Sequence, residues 1–171
     1  MKLKTLLLII PLFCAIGCQP GNVTNPGDTD HSKIAGTWKA EKSLWQIVIT
    51  EDGLVKSAVF PMGEATVIPN ETTYITMKDD TKSSYRSGDF PLVYDPKHSE
   101  LEVTIMIEEF HIRFLDNRID GNHEAVFFGE ISDDGTTWDG SVVEIFDYGP
   151  RLPQGEEGIM PVPIKFTKVS N

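Results

Sequence analysis

Three groupings of histidine and acidic residues in this 171-residue chain have the types and spacing that could do chemistry. His123-Glu124 opens like His-Glu-x-x-His, in which two histidines one helical turn apart hold zinc and the glutamate acts as base. Position 127 is Phe, and the surrounding residues alternate like a strand, so the helix that such a site needs is missing. Asp116, Asp120 and Gly121 fall at the first, fifth and sixth places of a calcium loop, but Arg118 and Phe127 stand at the third and twelfth, where oxygen ligands are required. A hairpin loop is the expectation there. Glu109 and His111 lie two apart and project from one strand face, giving two ligands where zinc needs at least three from the protein. His98 and His123 are distant in the chain, so a solvated face is expected and no metal site is.

Nucleophilic signatures are lacking: no Gly-x-Ser-x-Gly elbow occurs. Carboxylate pairs arise by number alone among 26 acidic residues and do not argue for glycosidase chemistry. No catalysis and no cofactor are expected. What remains is a set of aromatics, Trp38, Trp45, Phe60, Phe110, Phe114, Phe127, Phe128, Trp138 and Phe146, able to line a cavity for an apolar ligand or to fill a core. Core packing is the commoner role for any one of them, because small barrels need bulky side chains to exclude voids. Trp45, Phe110 and Phe127 are the candidates for ligand contact. Glu144 joins them through its parity with Trp138, Val142 and Phe146: if that face is internal, a carboxylate in an apolar cavity would orient a ligand. If Val143 and Ile145 face inward instead, Glu144 is exposed, and the rarity of buried carboxylates favours this second arrangement.

The elements that must position these residues are strands. From Ile34 onward no window shows a convincing helical period. Trp45, Ile47 and Ile49 alternate with Gln46, Val48 and Thr50, and Glu51-Asp52-Gly53 returns the chain as Leu54 to Phe60, a hairpin. The same grammar recurs at Ala125 to Ser132, Asp133-Asp134-Gly135, and Thr137 to Tyr148. Between them lie weaker strands near 65–68, 72–77 and 90–94, a turn at 95–98, the run Leu101 to Leu115, and finally Ile164 to Val169. In the long run Leu101, Val103, Ile105 and Ile107 share one parity while Phe110, Ile112 and Phe114 share the other, so a bulge is expected at Glu108-Glu109. The loop from Gly149 to Pro161 is long for a hairpin connection, as binding loops are, although Leu152, Ile159 and Met160 would also dock it on the barrel.

The chain opens with Lys2 and Lys4, an apolar run from Leu6 to Ile16, small Gly17 and then Cys18. This run is too short to span a bilayer, which takes about 20 apolar residues. Ala15-Ile16-Gly17-Cys18 resembles the lipobox of bacterial lipoproteins, with Ala15 where leucine or valine is commoner. That resemblance implies a signal peptide over residues 1–17, a lipid on Cys18 and anchoring of the chain to a membrane. Cys14 is the poorer acceptor because bulky Phe13 precedes it. Cleavage would remove Cys14, leaving one lipidated cysteine, no disulfide, and 13 basic residues against 26 acidic ones, a net charge of −13 in place of −11. Such a surface repels nucleic acid and favours cationic partners. Residues 18–32, rich in Gly, Pro, Asn and Asp, read as a lipidated flexible tether before a domain over 33–171. Gln19 stands where an aspartate would resemble an inner-membrane retention signal, which leans the location within the cell envelope toward the outer membrane.

Roughly eight to ten strands with tight turns make an antiparallel barrel or sandwich. Ile34-Ala35-Gly36-Thr37-Trp38, a Gly-x-Trp opening the first strand, resembles the start of lipocalin-like, calycin-type barrels. The resemblance implies an all-β barrel in which Gly36 and Trp38 are structural, the tryptophan closing one end against the last strand. The leading expectation is a lipid-anchored envelope barrel that binds a small or lipidic molecule or serves structurally. The alternative is an acidic module that captures a cationic protein, for example an inhibitor of a lysozyme-like enzyme. A cavity would favour the first; a filled barrel with a protruding acidic loop would favour the second.

Overall fold

A computed structural model describes residues 30–76, 82–114, 117–147 and 160–170. The proposed signal peptide, Cys18, nearly all of the tether, and most of the loop from Gly149 to Pro161 lie outside the described residues.

The fold is an all-β, nearly closed antiparallel barrel. Its strands are β1 (Gly36–Ala40), β2 (Gln46–Ile49), β3 (Val55–Phe60), β4 (Ala65–Val67), β5 (Thr72–Thr76), β6 (Lys82–Ser87), β7 (Leu92–Asp95), β8 (Glu100–Phe114), β9 (Asn117–Ile131), β10 (Thr137–Asp147) and β11 (Val162–Ser170). Ten follow one another around the ring as an up-and-down meander, and β1 pairs with β11 to close it. β7 takes the part of the β8 edge that β6 leaves free. The remaining seam lies between β4 and β5, bridged by the hydroxyl of Thr73 donating to the carbonyl of Thr66 at 3.1 Å.

Both expected hairpins form, β2 with β3 and β9 with β10. Residues 117–121, expected in a hairpin loop, are instead the start of β9, because the β8–β9 ladder runs on to Phe114 and Asn117. The phase change in β8 is a bulge: Ile107 pairs with His123 and Phe110 with Gly121, so three steps on β8 match two on β9. Ile107, Phe110 and Ile112 are thereby all buried, while Glu108 and Glu109 are both turned outward. Arg86 on β6 receives the two carboxylates, at 3.2 Å and 2.9 Å. This exposed pair of contacts holds the bent strand in register more than it adds stability.

One end of the barrel is shut. Trp38 is fully buried and donates its indole N–H to the carbonyl of Ile34 at 2.7 Å. Trp138 meets it edge-on at 6.3 Å, and the ammonium of Lys168, on the last strand, sits over its ring at 5.0 Å. Lys168 also donates to the carbonyl of Lys33, and desolvation there holds its pKa below the usual lysine value. Gly36 has φ +132°, and a Cβ on it would run into the carbonyl of Ser170, so the β1–β11 closure needs glycine at that place. Residues 30–32, assigned by composition to the tether, contribute to this end: the carbonyl of His31 accepts from Ile34 and Ala35.

Candidate functional site

The half of the barrel next to the shut end is filled by rings. Trp138 and Phe166 stack at 4.8 Å, and Phe127 abuts them at 6.3 Å and 5.6 Å. Above this layer the barrel opens to solvent. A cavity of about 770 Å³ opens at the end that carries the β1–β2 loop and the turn after β3. Pockets for small ligands typically fall in this size range.

The cavity wall is mostly apolar: Trp45, Phe60, Pro61, Met62, Val142 and Phe146, with Val162, Pro163 and Ile164 from the start of β11. Trp45 lies edge-on against Phe127 at 5.0 Å and reaches Phe60 at 5.7 Å. The turn carrying Met62 is held from below by Tyr85, whose hydroxyl donates to the Met62 carbonyl at 2.6 Å. Burial keeps this phenol protonated, its pKa pushed up to about 12.

Two polar side chains stand out in the cavity wall, one buried and one exposed at the mouth. His123 shares the inward parity of Ala125 and Phe127 on β9 and is buried. The β9–β10 register sets it opposite Phe146, and the two rings stack at 4.0 Å with planes 5° apart. Phe60 covers it at 5.0 Å and Trp45 stands 6.0 Å away. Glu144 lies across from Ala125, whose small side chain leaves it room, and its Oε1 approaches His123 Nε2 to 3.4 Å. That separation suits an ion pair but is not aligned as a hydrogen bond, and neither ring nitrogen of His123 has a hydrogen-bond partner among the described residues. Most buried polar groups are paired. Ser83 Oγ, Ser87 Oγ and Trp138 Nε1 are likewise buried without a partner among the described residues, so His123 is distinguished by its place in the aromatic cavity wall.

At the rim, Glu41 faces Lys165 at 3.9 Å, and Asp139 lies opposite Lys165 in the β10–β11 register. Lys42 and Ser43 belong to the exposed β1–β2 loop.

Of the four ligand-contact candidates from the sequence, Trp45 and Glu144 line the cavity, together with Phe60 and Phe146 from the wider aromatic set. The rarity of buried carboxylates favours an exposed Glu144, and it is exposed, its side chain 35% accessible, but through the other arrangement: Val142 on its face is buried and Ile145 is 40% exposed, so the carboxylate reaches water at the open mouth. Phe127 lies one layer deeper, beneath Trp45. Phe110 is not at the cavity; it pairs with Gly121 beyond the bulge and fills the space where that residue has no side chain. Gly36 and Trp38 are at the opposite, shut end.

The histidines are not brought together. His111 is on the outer face beside Asp120 at 2.6 Å, and His98 pairs with Asp95 at 2.7 Å in the turn after β7. Among the described residues one group of three ligating side chains occurs, Asp95, His98 and Glu100, all on the surface. Motif spacing in the sequence points to His123 only as a metal ligand, whereas its parity with Ala125 and Phe127 carries the signal of an inward position. No protein-family model matches the chain, and no curated protein and no solved structure is detectably similar to it.

Proposed function

We propose that this protein is a ligand-binding barrel of the bacterial cell envelope, exported as a lipoprotein, anchored through a lipid on Cys18, and holding a small molecule with an apolar body without transforming it. The observation that carries the reading is the half-open barrel: a space of about 770 Å³ with aromatic walls above a packed aromatic floor. The lipobox-like start supplies the location, and Gln19 leans it to the outer membrane. The lipocalin-like Gly36-Thr37-Trp38 agrees with such a role by analogy of fold alone. Capture of a cationic protein rests on net charge, and the open cavity favours the small ligand over it.

The test uses the mature chain from residue 18 with Cys18→Ser, so that no attached acyl chain competes, and titrates it with the fluorescent apolar probe N-phenyl-1-naphthylamine. Saturable binding at one site is expected, lost in Val142→Phe, which fills the cavity, with the thermal midpoint retained. Absence of saturable binding, or binding that survives the cavity-filling change, overturns the reading.

A further inference from the structure

We infer that the ligand is a cationic amphiphile, an organic ammonium with an apolar chain or ring system, whose head group is taken by Glu144 within the aromatic wall. This inference rests on the cavity being a ligand site and specifies its chemistry. An ionised carboxylate offers only acceptors. His123 Nε2 lies 3.4 Å from Glu144 Oε1, so the carboxylate is the acidic group at this part of the wall. A carboxylate in the wall favours positive charge in the ligand. Trp45, Phe60 and Phe146 line the same wall, and aromatic rings attract positive charge.

Charge at the mouth agrees. Lys165 is engaged by Glu41 and faces Asp139, so its positive charge is matched, and Lys42 sits on the exposed loop. The lining carries three carboxylates, Glu41, Asp139 and Glu144, against two ammonium groups, Lys42 and Lys165, so its formal charge is negative. A fatty carboxylate would be driven against it, an alcohol would donate without balancing its charge, and an ammonium would do both. The net charge of −11 over the chain raises the local concentration of cations in the same sense.

Four probes with matched chains separate the classes: dodecylammonium, dodecyltrimethylammonium, dodecanol and dodecanoate, each titrated below its micelle concentration by tryptophan fluorescence. Both cations should bind more tightly than the alcohol and the carboxylate. Glu144→Gln should weaken dodecylammonium by roughly 10- to 100-fold, the range for losing a charged hydrogen bond, and leave dodecanol nearly unchanged. Glu130→Gln, which removes the same charge from the exposed outer face of β9, should leave all four unchanged. Dodecanoate or dodecanol binding as tightly as the ammonium overturns the cationic assignment while leaving the ligand site intact. Equal losses in Glu130→Gln and Glu144→Gln overturn it in favour of general electrostatics. Failure of all four probes overturns the ligand-site reading itself.

Discussion

His123 lies flat on Phe146, ring centroids 4.0 Å apart, because the two residues face each other across β9 and β10. The stack holds a polar ring where the core would accept an apolar one. Its two nitrogens gain no hydrogen bond from the described residues in return for their lost hydration.

His123→Phe should therefore preserve the stack, remove both orphaned nitrogens and leave the fold as stable as before or more so, by up to about 1–3 kcal/mol. Urea melts of the two proteins measure this. A large loss of stability would mean that the imidazole serves the fold, and the reasoning from its orphaned nitrogens would fail.

Trp38 closes the end remote from the cavity, with its N–H satisfied by Ile34 and Lys168 over its face. Trp38→Ala should cost about 3–5 kcal/mol, since a rigid interior refills such a void poorly. Lys56→Ala on the exposed face of β3 should change little. If Trp38→Ala instead leaves the denaturation midpoint in place and removes binding of the apolar probe, the tryptophan belongs to the site and not to the plug.

Tyr85 supplies an alkaline signature. Its pKa rises from 10.0 to about 12 through burial, so between these values the folded state retains a proton that the unfolded state releases. Its contribution to stability is complete below pH 10 and is lost as pH climbs toward 12. Spectrophotometric titration should show Tyr85 ionising last, after Tyr94, which burial also raises, and Tyr85→Phe should abolish that last step. A wild-type protein whose tyrosines all ionise near the ordinary value would contradict the buried placement.

Lipidation at Cys18 predicts accumulation of an uncleaved precursor under globomycin, which blocks the lipoprotein signal peptidase. Cys18→Ala should likewise prevent maturation. Release of a soluble mature protein from wild-type cells, unaffected by this substitution, would refute the anchor.

Much of the barrel was legible because its determinants are local. Ile47 and Ile49 against Val48 and Thr50 declare a half-buried strand within four residues, and Gly53 and Gly135 supply the positive φ that returns the chain. Even the β8 bulge is written in the shift of parity from Ile107 to Phe110. β6 was not legible: its inward positions are Ser83, Tyr85 and Ser87, so the alternation is present without the apolar contrast that would reveal it.

The site divides in the same way. The sequence alone determined that Glu144 shares a face with Trp138, Val142 and Phe146, since period two is a property of one strand. Only the tertiary structure decided that this face turns inward, that its lower part is packed by Phe127 and Phe166 while its upper part opens to solvent, and that His123 meets Glu144 there. Which face is buried, and whether the space before it is filled, depends on the summed volumes of side chains from strands far apart in the chain. No local pattern carries that sum.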